Sequence, residues 1–252
     1  MHPFLDWPGP LAFAHRGGAS DHPENTMPAF RYAVELGYTY LETDVHATTD
    51  GALVAFHDAD LQRTCGQPGR IDELPWSEVA AARVAGTEPI PLMEDLLDEF
   101  PQARFNIDCK ADSGVGPLVG LLRRRPDLLD RVLVGGFSDA RLRRIRVAVG
   151  ERLCTSFGPQ QIAALAFGSR VPWGGQAAQV PPARGRVKLV TPRFVKRAHA
   201  LGLHVHVWTI DDPVEIGRLL DIGVDGIMTD RPAVLKGVMC ERGSWYEQSP
   251  PD

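Results

Sequence analysis

The stretch LETDVHATTDGALVAFHD, residues 41–58, decides how the rest of the chain is read. Val, Leu, Phe and Thr on either side of TTDG favour two extended segments joined by a turn. Glu42 and Asp44 stand two apart near the end of the first segment, so they project from one face. If that face looks into a core, two carboxylates sit where charge is costly, and something must compensate them.

Outward from this stretch, strand-like runs alternate with helix-like runs. LAFAH precedes TMPAFRYAVELG; YLETDV and ALVAFH precede LMEDLLDEF; ARFNIDCK precedes GPLVGLLRRR; RVLVGGF precedes DARLRRIRVAV. RLCTSF leads into PQQIAALAF, AAQVP and VKLV into TPRFVKRAHALG, LHVHVWT into DPVEIGRLLDIG, and GIMTD into PAVLKGVM. About eight such units predict an α/β fold with a parallel sheet and helical crossovers, and 252 residues suit a closed (β/α)8 TIM barrel. A doubly wound open sheet competes, but HRGGAS has only adjacent glycines, not the dinucleotide fingerprint after the first strand. A single domain is expected over 1–252, its core at about 11–240. Residues 59–91 are expected to form a small inserted cap over one barrel mouth. Residues 169–187, rich in Gly and Pro, read as loop around one short strand. The tail SWYEQSPPD reads as loosely packed.

Composition narrows the function. The chain is 44% hydrophobic and 23% charged, with net charge −5 and no basic block beyond Arg123 to Arg125, which argues against nucleic acid as a partner. MHPFLDWPGP lacks the basic start and apolar run of a signal peptide. No apolar run approaches the roughly 20 residues of a membrane helix. Cys65, Cys109, Cys154 and Cys240 are scattered without zinc-site spacing, so free thiols and a cytoplasmic location are expected.

Barrel enzymes carry their chemistry at the C-terminal ends of the strands. Here His15 and Arg16 close the first strand, Glu42 and Asp44 the second, Asp108 and Lys110 the third, and Trp208 the seventh; His57 and Asp58 end the run after TTDG. Period two puts Asp108 and Lys110 on one face, with Ile107 and Cys109 toward the helices, and turns His204, His206 and Trp208 inward. Three clustered carboxylates, Glu42, Asp44 and Asp108, suit one hard divalent cation, Ca²⁺ or Mg²⁺. The competing reading pairs each carboxylate with Arg16, Arg63 or Lys110. Zinc would call for cysteine or several histidines. His15 and His57 can move protons near neutral pH, and Arg16 and Lys110 suit an anionic substrate, which together favour phosphoester over carbonyl chemistry.

HRGGASDHPENTMPAF, ETDVHATTDGALVAFHD, LQRT and VWTIDDP…GVDGIMTDRP resemble the glycerophosphodiester phosphodiesterase family, from about His15 to Pro232. The resemblance implies a (β/α)8 barrel hydrolysing glycerophosphodiesters, small-molecule substrates, to glycerol 3-phosphate and an alcohol with a divalent cation. By position, Glu42 and Asp44 match the paired metal carboxylates and Asp108 lies at the third. His15 and His57 match the catalytic histidines, Arg16 a phosphate-binding arginine, Lys110 the lysine beside the metal and Trp208 the tryptophan lining the substrate pocket. The family more often has Glu where this chain has Asp108, so that strand must approach closer or a water must bridge. Glu24 of PENT is open to two roles, substrate binding or holding its loop.

The resemblance also implies a cyclic phosphate intermediate, with one histidine as base and the other as acid; His15 is taken as base and His57 as acid. Two other readings compete. A phospholipase D-like hydrolase of lysophospholipids should carry an apolar cap for the acyl chain, and the charges in 59–91 argue against one there. A non-catalytic ligand-binding barrel has no need for both histidines together with all the carboxylates. An oxidoreductase on the same fold would rest on analogy alone.

Overall fold

The computed structural model describes residues 1–169, 174–185 and 187–247. The strands are β1 (Leu11–Ala14), β2 (Tyr40–Ala47), its hairpin partner β3 (Leu53–Ala55), β4 (Arg104–Cys109), β5 (Val132–Gly135), β6 (Cys154–Thr155), β7 (Ala177–Val180), β8 (His204–Val207) and β9 (Gly226–Thr229). All pair in parallel except β3, which runs antiparallel to β2 with Val45 opposite Ala55. The order is β6-β5-β4-β2-β1-β9-β8-β7. The short β6 leaves little to close the ring, which is completed by one parallel bridge, Ser156 to Ala177, and by the Phe157 amide donating to the Ala177 carbonyl at 2.8 Å. The barrel reading therefore holds over the open sheet.

Helices α1 (Met27–Glu35), α2 (Met93–Glu99), α3 (Val115–Arg124), α4 (Asp139–Val149), α5 (Pro159–Phe167), α6 (Pro192–His199), α7 (Pro213–Asp221) and α8 (Pro232–Glu241) follow the runs read as helical. Their starts are written in the sequence. Ser138, Thr191 and Asp212 accept backbone N–H bonds as N-caps of α4, α6 and α7, and proline occupies the first turn of α1 and of α5 to α8.

Strand alternation divides the interior in two. Leu41, Val45, Phe105, Ile107, Cys109, Val205 and Val207 pack outward against the helices. Phe13, Tyr40, Leu133 and Met228 fill the barrel, joined by Phe4 from a turn at Pro3–Leu5 that plugs the N-terminal ends of the strands. There Tyr40 Oη donates to the Phe4 carbonyl at 2.8 Å, and Arg104 donates to Tyr40 Oη at 2.6 Å. One end is thus sealed, and the opposite face is left for chemistry. His206 faces inward as expected, but it lies fully buried with its ring 5.0 Å from Phe13. Burial, reinforced by neighbouring His204, pushes its pKa well below the usual value, so it is a neutral core residue.

The insertion at 59–91 builds one-turn helices at Gln62–Cys65 and Trp76–Val79 and a two-strand ladder of Arg83–Val84 with Glu88–Pro89. Its Leu61, Ile71, Val79 and Ile90 cluster on Val54 and Phe56. The insertion thus covers the apolar face of the β2–β3 hairpin. In 169–187 the expected short strand is β7, and a small ladder of Ala183–Arg184 with Val187–Lys188 follows; residues 170–173 and 186 lie outside the described residues. In the tail, 248–252 lie outside them too, but the part before is packed, not loose: Trp245 stacks edge-on against Tyr38 at 5.0 Å. The four cysteines are free thiols. Among the described residues, no helix is long and apolar enough to cross a membrane.

Candidate active site

The C-terminal ends of the strands open into a cavity of about 840 Å³. Its lining includes every residue singled out for the site: His15, Arg16, Glu42, Asp44, His57, Asp108, Lys110 and Trp208. The β2–β4 register explains how the carboxylates meet. Asp44 lies directly beside Asp108, and Glu42 beside Asn106, so inward positions on two strands form one floor.

His15 and Arg16 sit where β1 breaks into a tight turn. Gly17 follows with φ 82°, and a Cβ there would lie 2.9 Å from the backbone of α1, so the turn requires glycine. Arg16 itself adopts φ 52°. Two bonds hold it there: its amide donates to Glu42 Oε2 at 3.1 Å, and its carbonyl accepts from the Asn25 amide at 2.9 Å. The strained turn thereby aims both side chains into the cavity.

The carboxylates are unequally compensated. Lys110 Nζ lies between Asp44 Oδ1 (2.8 Å) and Asp108 Oδ2 (2.6 Å), and Arg16 Nε is 3.2 Å from Asp44 Oδ2. Burial opposes ionisation of Asp44, but Lys110 and Arg16 outweigh it and hold its pKa below the usual value. Burial likewise works against the charge on Lys110, yet Asp108 and Asp44 keep its pKa raised. Glu42 has no such cation. Burial and the neighbouring Asp44 push its pKa up to about 7, with His15 Nε2 3.8 Å away. Burial also raises Asp108, whose Oδ1 is buried without a hydrogen-bond partner.

The pairing of Asp44 and Asp108 with Lys110 realises part of the ion-pair reading. It does not balance the floor, because three carboxylates face one ammonium and an Arg16 shared with Glu24. Among the described residues, no three acidic, imidazole or thiol side chains stand at the spacing of a common ion. The hard oxygen donors, the unpartnered Asp108 Oδ1 and the uncompensated Glu42 nevertheless fit a hard divalent cation.

Each histidine has a carboxylate behind it. His15 Nδ1 is 2.6 Å from Asp230 Oδ1, and His57 Nδ1 is 2.6 Å from Asp58 Oδ1. In both rings this leaves Nε2 free of the supporting carboxylate. Burial lowers the His15 pKa, but Glu42 and Asp230 together outweigh it and hold it above the ordinary value. Asp58 is fixed in turn by Arg63, whose Nε donates at 2.5 Å; this bond, first, drives the Asp58 pKa down to about 2. Arg63 also donates twice to Glu24, at 2.8 and 2.7 Å, and Arg16 donates once to it at 3.0 Å. Glu24 is therefore a brace between two arginines, the contact expected of a loop-holding residue.

Asp230, Phe137, Gln179 and Asn106 were not singled out in the sequence. Asp230 directly follows the last strand, GIMTD, so the strand-end rule could have found it. Phe137 meets Trp208 edge-on at 5.5 Å and lies 5.4 Å from Lys110 Nζ. Gln179 donates to Asn106 Oδ1 at 2.6 Å across the floor. No local signal marks these partners, which come from different strands.

Comparison with known proteins gives a consistent picture. The model of the glycerophosphoryl diester phosphodiesterase family matches residues 15–167 and 169–234. A protein of Mycobacterium tuberculosis, named as probable glycerophosphodiester phosphodiesterase 2, is 41% identical over 96% of this chain and 95% of its own length. A lysophospholipase D of Rattus norvegicus is 27% identical over 88% of this chain and 84% of its own. A phosphodiesterase of Oleispira antarctica, solved in complex with the product sn-glycerol-3-phosphate, superposes with a TM-score of 0.78 at 21% identity, covering 92% of this chain and 97% of that one. Barrel, site residues and family match coincide along the chain, which belongs to the glycerophosphoryl diester phosphodiesterase family.

Proposed function

We propose that the chain is one catalytic domain that hydrolyses glycerophosphodiesters to glycerol 3-phosphate and an alcohol, with His15 and His57 moving protons beside a divalent-cation site. The observation that carries this reading is the pair of carboxylate-backed imidazoles opening on one cavity whose floor is Glu42, Asp44 and Asp108. Family membership supports the reaction class.

Asp230 and Asp58 fix the Nδ1 side of each ring, so each Nε2 is presented for proton transfer. His15, held above the ordinary imidazole value by Glu42 and Asp230, takes the proton of the glycerol 2-hydroxyl as that oxygen bonds to phosphorus. His57 gives a proton to the departing alcohol as its P–O bond breaks. Water then opens the cyclic phosphate with the two roles exchanged. Arg16 and Lys110 place positive charge against the phosphate oxygens. Glu42, Asp44 and Asp108 would hold Ca²⁺ or Mg²⁺, which when bound supplies Lewis-acid charge to the phosphate. Trp208 and Phe137 wall the substrate with aromatic surface.

The test is glycerophosphocholine hydrolysis by His15→Ala and His57→Ala, each expected to lose at least about 100-fold in turnover. Near-normal turnover in either variant removes that residue from the mechanism. Full activity after chelation removes the cation.

A second reading, hydrolysis of lysophospholipids, is favoured by the shape of the cavity. Pro159, Ile162, Ala163, Ala166 and Phe167 line it from α5 at the i, i+3, i+4, i+7, i+8 spacing of one helical stripe. Buried Leu165 faces the core instead. The apolar surface absent from 59–91 is therefore found on α5, and the rat relative is named for lysophospholipase D activity. Choline release from lysophosphatidylcholine, compared with glycerophosphocholine, decides between substrates. Ala163→Glu should depress only the former.

A further inference from the structure

The α5 stripe leads away from the carboxylate floor to a rim of different character. Phe167 ends α5 with 85% of its surface exposed, and Val187 is 65% exposed. Arg184, Lys188 and Arg193 line the cavity at this rim. Among the described residues none of these three cations makes an ion pair, and Glu215, which feels the charge of Lys188, is already bound to Arg218. The carboxylates lining the cavity are Glu42, Asp44 and Asp108, all at the opposite, deep end. The rim is thus basic on a chain of net charge −5. α6 fixes this arrangement through Arg197, which donates to the Leu165 and Ala166 carbonyls at 2.7 and 2.8 Å and so ties the last turn of α5 to the basic segment.

We propose that this rim is a docking face for an anionic lipid surface, with the α5 groove leading from that surface to the catalytic floor. It serves the lysophospholipid reading, but it is tested without turnover. Charge selects the occupant and its orientation. An acidic protein is repelled by a negative surface over most of its area and attracted only where unpaired cations cluster. The exposed Phe167 argues for lipid rather than nucleic acid or an acidic protein. An aromatic or aliphatic side chain set among lysines and arginines is the composition of an interfacial anchor, in which the ring enters the headgroup region while the cations meet lipid phosphates. The groove behind it is apolar along its α5 wall, and the cation lining it there, Arg197, is already bound to the Leu165 and Ala166 carbonyls, so a chain leaving the lipid surface can follow the α5 stripe toward the floor.

The experiment is sedimentation of the purified chain with phosphatidylcholine vesicles, with and without phosphatidylglycerol, at low and high salt. Binding is expected only with phosphatidylglycerol and should weaken as salt rises. Arg184→Glu with Lys188→Glu should lower the affinity by roughly tenfold or more, since each basic residue at such a surface contributes roughly a fivefold factor. Phe167→Ser should lower it at both salt concentrations. Unchanged thermal unfolding of these surface variants shows that the fold is retained. The proposal is overturned by no binding, by equal binding to neutral vesicles, or by variants that bind like the wild type. It is also overturned by capture on polyglutamate that is indifferent to Phe167→Ser. Glycerophosphocholine hydrolysis by the wild-type chain without vesicles reports on the reaction separately. Its persistence alongside absent vesicle binding removes the docking face alone.

Discussion

Glu42→Gln isolates the carboxylate of the floor that has no lysine or arginine against it. The folded protein raises the Glu42 pKa from an ordinary 4.5 to about 7, first by burial and then through Asp44. Such a carboxyl holds its proton more tightly folded than unfolded, so its contribution is fully present below pH 4.5 and is lost as pH rises through about 7. Each pH unit across that window removes about 1.4 kcal/mol, giving a ceiling of about 3 kcal/mol. Glutamine has almost the same shape and keeps an oxygen for the Arg16 amide, now 3.1 Å from Glu42 Oε2. In chelator, the variant should therefore match the wild type near pH 4.5 and be the more stable of the two at pH 8, by up to that ceiling. Urea denaturation at both pH values measures it. With the cation held on the carboxylate floor as proposed, adding Ca²⁺ or Mg²⁺ at pH 8 should raise the wild type far more than the variant. A Gln variant equal to or weaker than the wild type at pH 8 in chelator would refute the idea that Glu42 carries an unrelieved charge.

Other substitutions probe the neighbouring contacts. Lys110→Met leaves Asp44 and Asp108 buried beside one another, and urea denaturation in chelator should show a loss of about 3–5 kcal/mol at pH 7. Asp230→Asn removes a partner that helps hold the His15 pKa up; the acid limb of the kcat/KM profile should move to lower pH. Arg63→Ala frees both Asp58 and Glu24, so kcat should fall through a mispositioned His57 while the unfolding midpoint changes little. Tyr40→Phe breaks the bonds to Phe4 and Arg104 at the sealed end, costing about 1–3 kcal/mol of stability without altering KM.

Period two in the strands made much of the site legible. It put Asp108 and Lys110 on one face and sent Ile107 and Cys109 outward, as the structure has them. The same rule turned His206 inward correctly but gave no depth. Depth depends on register, and His206 lies beside Gln179 and Gly226, below the catalytic floor. Hydrogen-bond partners were less accessible still. His15 and Asp230 are separated by 215 positions, and only the closed ring, with β9 beside β1, brings them together. The helical period of PQQIAALAF predicted α5 but not which stripe faces the core. Leu165 is buried, whereas Ile162, Ala163, Ala166 and Phe167 turn to the cavity, so an apolar groove was concealed in an ordinary amphipathic helix.

The opposed behaviour of Glu42 and Asp44 ties these observations together. They stand on one strand and face one way, yet one is held ionised and the other is pushed toward protonation. Their partners distinguish them. Asp44 has Lys110 and Arg16, whereas Glu42 has a backbone amide and a histidine at 3.8 Å. A floor balanced entirely by lysine and arginine would be stable alone and would gain little from a divalent ion. A floor with no lysine would leave three carboxylates repelling one another whenever the ion departed. On the proposed cation site, Lys110 would keep the folded chain viable without the ion, and the deficit at Glu42 would keep the floor receptive to one near neutral pH. On this reasoning the lysine and the cation act together, and replacing either should alter the affinity for the other's ligand carboxylates.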